Sequence, residues 1–151
     1  MKTDYNEILV EVKESAAWIT INRPEVRNAF REQTLDELRE AVLDTRNDPS
    51  ISCIVITGAG DQAFSAGGDF YAMKRLNWVN AAHWNDRMLG LAMAIRGVAV
   101  PVIAMVNGWC MGGGHEPSSV KESRDEESHY GLFLVLWFVV LDFLSFNVQY
   151  L

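Results

Sequence analysis

Cysteine is scarce in this chain: Cys53 and Cys110 are the two thiols among 151 residues. Two cysteines cannot build a disulfide framework or a cysteine-ligated zinc site. Both lie in apolar runs, where a thiol acts as a small buried side chain. Histidine is scarce too, and His83, His115 and His129 do not fall at ligand spacing, so no metal site is expected. Positive charge is in deficit, with 13 Lys and Arg against 20 Asp and Glu and a net charge of −7. That deficit argues against nucleic acid as a partner and against an anionic membrane surface. It leaves room for an anionic small molecule, because a local pocket can oppose the global charge. The stretch Met1–Glu7 lacks the apolar core of a signal peptide, which predicts a cytoplasmic protein. No internal repeat and no low-complexity linker interrupt the sequence.

What is present fits a folded chain. Hydrophobic residues make up 49% and charged residues 22%, which excludes extensive disorder, and the length suits one domain. Ile8, Val10 and Val12 alternate with Glu7, Glu11 and Lys13, the period of a strand with one buried face. Lys13-Glu14-Ser15 then leads to Trp18-Ile19-Thr20-Ile21, so the two runs predict a hairpin. Thr34 and Glu37 stand at capping-box spacing, and Leu35, Leu38 and Val42 recur at helical intervals up to Asn47-Asp48-Pro49. Residues 51–57 form a short β-branched apolar run, which predicts a strand buried on both faces. Phe64 to Asp69 reads as a small-residue loop. Ala81, Trp84, Met88, Leu91 and Ile95 mark an amphipathic helix that Gly97 can end, and Val98 to Val106 reads as another buried strand, interrupted by Pro101 near its start. Hairpin, helix, strand, helix, strand is an α/β layer pattern whose later strands run parallel.

Two glycine-rich segments each follow a predicted buried strand: Ser65-Ala66-Gly67-Gly68-Asp69 and Gly112-Gly113-Gly114. Glycine admits positive φ and lets a backbone N–H approach a ligand with no Cβ in the way. In α/β proteins ligands gather at the carboxyl ends of strands. A pair of such loops can offer two N–H groups to one oxygen, as an oxyanion hole requires. The same segments also serve as ordinary turns. Glu116 would stand in the first turn of a following helix, where the helix N-terminus favours its charged form. No dinucleotide fingerprint, P-loop, zinc-protease helix or nucleophile elbow occurs.

Four strings carry a resemblance. They are Trp18-Ile19-Thr20-Ile21-Asn22-Arg23-Pro24, then Arg27-Asn28-Ala29-Phe30, then Ala63-Phe64-Ser65-Ala66-Gly67-Gly68-Asp69. The fourth is Pro101 to Gly108 with Gly112-Gly113-Gly114-His115-Glu116. In order and rough spacing they resemble the enoyl-CoA hydratase/isomerase (crotonase) family over about residues 8–116. The resemblance implies a crotonase-like spiral of ββα units, assembled into homo-oligomers (trimers or hexamers), and acyl-CoA thioesters as ligands. Coenzyme A is then part of the substrate, and no separate cofactor is implied. Carried over by position, the backbone N–H groups of Gly68 and Gly113 become the two oxyanion donors. Ala66 to Asp69, with Ala29 beside them, would line the pantetheine and adenine region, and Arg27 would stand near the CoA phosphates. Glu116 matches one of the two glutamates that add water across a 2,3-double bond. A member with one glutamate could run an isomerase reaction, and others cleave C–C bonds, as in a cyclic oxo-acyl-CoA, or thioesters.

Beyond Glu116 the resemblance stops. Between Pro117 and His129 the one apolar residue is Val120, so a helix there has no face to bury. Residues 117–130 read as a polar linker and 131–151 as an apolar segment unrelated to the family, containing the unbroken run Leu132 to Leu141. That run is shorter than the ~20 residues that span a bilayer, and no Lys or Arg follows Arg124, so a membrane anchor is not expected. A shift of reading frame, a splice or an assembly artefact in place of the family's second half would account for the change. So would an improvised strand or helix covering an unfinished sheet. Either way the fold reads as incomplete, with no counterpart of the second glutamate. Two outcomes stay open: an acyl-CoA enzyme, and a catalytically silent fragment that joins full-length homologues or a membrane through its tail.

Overall fold

The computed structural model of the chain describes residues 1–111. Gly113, Glu116, the polar linker and the apolar segment lie outside the described residues. The chain opens with β1 (Ile8–Lys13) and β2 (Ala16–Ile21), the expected antiparallel hairpin, with Ile8 opposite Ile21 and Lys13 opposite Ala16. Its two-residue turn holds Glu14 at φ 50° and Ser15 at φ 69°. A pair of left-handed residues is what matches the twist of the flanking strands.

A 3-10 turn (Pro24–Val26) precedes α1 (Glu32–Asp44), and β3 (Cys53–Gly58) follows. Next come the short β4 (Ala63–Ser65), the one-turn α2 (Phe70–Met73), α3 (Trp78–Gly97), β5 (Val102–Met105) and β6 (Trp109–Cys110). The main sheet has the order β1-β2-β3-β5, with β3 parallel to both β2 and β5. A second sheet pairs β4 with β6 in parallel. The expected α/β layering with parallel later strands is what forms.

Register explains the core. Val10, Ile19, Ile56 and Ala104 fall in one row across the main sheet, and Ala17, Ile54 and Val102 in the next. Both rows are buried and join Leu35, Leu38 and Val42 of α1 with Trp84, Leu91 and Ile95 of α3 in a single apolar cluster. Each such aliphatic side chain contributes roughly 1.5–3 kcal/mol by leaving water. The opposite face carries the row Leu9, Thr20, Thr57 and Met105, of which Leu9 and Met105 are exposed.

Three local expectations are corrected. Thr34 is not the cap of α1: Arg31 is, and its N–H donates to Thr34 Oγ1 at 3.1 Å from the third helical position. Glu37 instead reaches the entry of β1, accepting from Glu7 N–H at 2.8 Å and Asn6 N–H at 3.2 Å. Those amides precede the first ladder bond and lack strand partners, so a carboxylate satisfies them. The strand expected over 98–106 shortens to Val102–Met105, because Pro101 has no N–H to donate. Its carbonyl still accepts from Ile54 N–H at 2.9 Å. Finally, the segment read as a loop from Phe64 to Asp69 begins as β4, drawn into pairing by β6.

Candidate functional site

The segments Arg27–Phe30 and Ala66–Asp69 run side by side. Ala66 N–H donates to Arg27 O at 3.0 Å, Phe30 N–H to Gly67 O at 2.7 Å, and Asp69 N–H to Phe30 O at 2.7 Å, an isolated parallel bridge between Phe30 and Gly68. The consequence for Gly68 follows from peptide planarity. Gly67 C=O and Gly68 N–H belong to one trans plane and point in opposite directions. Since the carbonyl is held by Phe30, the Gly68 N–H faces away from it, and among the described residues it has no acceptor.

The two glycines have different reasons to be glycine. Gly67 lies at φ 86°, a region that a Cβ disfavours. Gly68 is not left-handed, but a Cβ there would collide with Sδ of Met73 and stand 3.4 Å from the Trp84 ring. Backbone conformation is the constraint at the first, and close approach at the second.

Buried polar side chains hold the two segments together. Asn28 is fully buried at φ 55°. Its Nδ2 donates to Ala59 O at 3.0 Å and Ala63 O at 2.7 Å, and its Oδ1 accepts from Arg23 N–H at 3.0 Å. Ser65 Oγ donates to Asn28 O at 2.8 Å and accepts from Gly67 N–H at 3.1 Å. Arg23, also buried, donates from Nη1 to Ala29 O at 2.5 Å and from Nη2 to Asp69 Oδ2 at 3.0 Å. Its Nε lies 3.4 Å from Glu7 Oε1, and Glu7 further accepts from Arg31 and from the Thr34 hydroxyl. A buried charge is tolerated only when paired in this way.

Asp69 closes the network. Its Oδ1 accepts from Tyr71 N–H at 2.9 Å and Ala72 N–H at 3.2 Å, capping α2. Burial pushes this carboxyl up. The Ala72 amide, the Arg23 guanidinium and the Tyr71 amide together outweigh that and hold it below its ordinary value. Burial likewise opposes Glu37, yet the amides of Glu7 and Asn6 and the side chains of Gln33 and Asn6 bring it below its ordinary value. Cys110 is pushed up to about 11 by burial, which makes it a poor nucleophile. Among the described residues no cluster of His, Cys, Asp or Glu could hold a metal ion, and no helix is long and apolar enough to cross a membrane.

A cleft of about 720 Å³ opens between α1, α2 and α3. Asp69 borders it, whereas Arg27, Ala29, Ala66 and Gly68 do not. Glu32, Asp36, Glu37 and Glu40 line the cleft together with Arg31, Arg75 and Arg87, so it presents charge of both signs, with Arg87 paired to Glu32 and Asp36.

The fold thus gathers five of the sequence candidates, Arg27, Ala29, Ala66, Gly68 and Asp69. Arg27 is exposed at φ 53°. Ala29 is buried with its carbonyl taken by Arg23, and the Asp69 carboxylate is turned inward to Arg23 and α2. Gly113 and Glu116 lie outside the described residues. The described chain ends beside the same loop, with Met111 N–H donating to Ser65 O at 3.0 Å. Arg23, Asn28 and Ser65 were not singled out from sequence, although all three lie within the resemblance strings.

Comparison with known proteins places the chain in a family. The sequence pattern of the enoyl-CoA hydratase/isomerase family matches residues 11–121. The chain is 38% identical over 112 residues to a crotonyl-CoA hydratase of Syntrophomonas wolfei, an alignment that covers 74% of this chain and 43% of the relative. An enoyl-CoA hydratase/isomerase structure from Xanthobacter autotrophicus Py2 superposes with a TM-score of 0.72 at 32% identity, covering 78% of this chain and 44% of that one. The Pseudomonas aeruginosa DspI structure gives 0.73 at 32% identity, with the same coverages of 78% and 44%. The chain therefore spans less than half the length of these relatives.

Proposed function

This chain belongs to the enoyl-CoA hydratase/isomerase family, and from that membership we propose that it binds an acyl-CoA thioester with the thioester oxygen on the Gly68 N–H. The observation that carries the reading is the Gly68 amide itself. It is aimed away from its bridge partner Phe30 and lacks an acceptor among the described residues.

The second donor in this reading is the N–H of Gly113. Met111 N–H is fastened to Ser65 O at 3.0 Å, and Gly113 follows it by two positions in sequence. When a proton leaves or reaches the α-carbon, charge builds on the thioester oxygen as an enolate. Two amides facing that oxygen stabilise the charge, each by about 3 kcal/mol or more in a water-excluded site. Glu116 moves the proton as acid or base: it directs water to an enoyl thioester with a partner carboxylate, or shifts a double bond alone. Arg27, exposed beside the loop, offers a cation to the CoA phosphates.

Titration of the chain with an acyl-CoA tests this. Saturable binding that disappears in Gly113→Pro, which deletes a donor N–H, supports the reading. Absence of binding at millimolar ligand refutes it.

A second reading draws on the exposed row of Leu9 and Met105 across the sheet's outer face. Here the chain is silent and associates with full-length homologues through apolar surface. Sedimentation of the parent and of Leu9→Ser with Met105→Ser separates the two, since the second reading requires the assembly to weaken when that row is made polar.

A further inference from the structure

We propose that Arg23 is a positioning residue that aims and polarises the Gly68 N–H through a relay of two peptide planes. The relay begins at Arg23 Nη1, which donates to Ala29 O at 2.5 Å. Ala29 C=O shares its peptide plane with Phe30 N–H, which donates to Gly67 O at 2.7 Å. Gly67 C=O in turn shares its plane with Gly68 N–H. Guanidinium, first plane and second plane are therefore joined donor to acceptor, with the Gly68 proton at the free end.

Both ends of this arrangement matter. Aligned peptide dipoles headed by a cation leave the terminal N–H more positive, by the same physics that makes a helix N-terminus attract anions. Arg23 can act as that head because it is fixed. It is 8% exposed and its other nitrogens face Asp69 Oδ2 at 3.0 Å and Glu7 Oε1 at 3.4 Å. Its own N–H donates to Asn28 Oδ1 at 3.0 Å, so the backbone is held as firmly as the side chain. The relay itself stands on hydrogen bonds of the ligand-free chain, while its use in polarising a thioester rests on the function proposed above.

Amide proton shifts of the full chain, read by NMR with and without an acyl-CoA labelled at the thioester carbonyl, test the relay. In Arg23→Met the Phe30 and Gly68 protons are expected to move upfield while those of Ile19 and Ile56 in the sheet stay in place. Arg23→Lys, which keeps a cationic donor, recovers part of the shift and serves if the methionine variant does not fold. Asp69→Asn removes one of the two ion pairs that fix Arg23 but keeps the Ala29 arm, and moves both protons less than Arg23→Met does. With ligand, the bound carbonyl in the Arg23 variants relaxes toward its free frequency and affinity falls on the order of tenfold, less than for loss of a whole donor. Unmoved Phe30 and Gly68 protons in the Arg23 variants overturn the relay, as does an equal movement in Asp69→Asn. Failure of the unmodified chain to bind acyl-CoA refutes the proposed function instead, and the ligand-free shifts still decide the relay.

Discussion

Replacing Asn28 by alanine should be among the most damaging single changes in the described fold. The amide side chain makes three hydrogen bonds, to Arg23 N–H, Ala59 O and Ala63 O, which tie the turn after β2 to the end of β3 and the start of β4. Truncation strands Arg23 N–H and Ala63 O in buried surroundings and Ala59 O in part-buried ones. At a net value near 1 kcal/mol each, their loss comes to about 3 kcal/mol. Alanine must also adopt φ 55°, which costs an L-residue other than asparagine roughly 1–2 kcal/mol more. The sum, about 4–5 kcal/mol, is a large part of the 5–15 kcal/mol typical of a domain. Urea unfolding of the full chain measures it as a change in midpoint at constant slope. Asn28→Gly separates the two contributions, since it loses the same bonds without the φ cost and should lie between alanine and the parent. An alanine variant within about 1 kcal/mol of the parent would refute the reasoning. Equal losses for alanine and glycine would remove its conformational part.

Gly67→Ala should cost roughly 1–2 kcal/mol, because φ 86° strains a Cβ, whereas Gly68→Ala is accommodated once the flexible Met73 side chain moves; thermal melts compare them. Asp69 and Glu37 are both held below their ordinary values of 3.8 and 4.5, so their stabilising contribution is complete above those values and disappears as pH falls through the lowered ones. Urea midpoints should therefore drop steeply below about pH 4, and less steeply in Asp69→Asn. At the β1–β2 turn, Glu14→Asn with Ser15→Gly suits the left-handed pair and should stabilise by about 0.5–1 kcal/mol, a rise of about 1–4 °C in Tm.

The elements legible in the sequence are those whose pattern is local. Alternation at Ile8, Val10 and Val12 and the helical spacing of Trp84, Leu91 and Ile95 each report one buried face; the structure buries all of these but Val12, which is exposed beside the hairpin turn. The β-branched run of β3 reports burial on both faces by the same logic. Thr34 was misassigned because a hydroxyl three residues from a partner fits a cap or a third position equally well, and only the approach of Glu7 decides it. The glycines, Arg27 and Ala29 became candidates through ordered strings of residues. Arg23 lies in the first of those strings, but the string does not show that its side chain reaches Ala29 O and, 46 positions away, Asp69. Asn28 looks like any turn asparagine until the ends of β3 and β4 close around it. Polar side chains that act across the fold are hidden in sequence because no period or spacing encodes their partners.

The central claim is that the Gly68 N–H is an acceptor-seeking donor built for a thioester oxygen. Titrating labelled full-length chain with an acyl-CoA and with free coenzyme A, while following the Gly68 amide proton, tests it most directly. A saturable downfield shift with the thioester and none with free coenzyme A is the expected result. A Gly68 signal that ignores millimolar acyl-CoA, or that responds equally to both compounds, would contradict it.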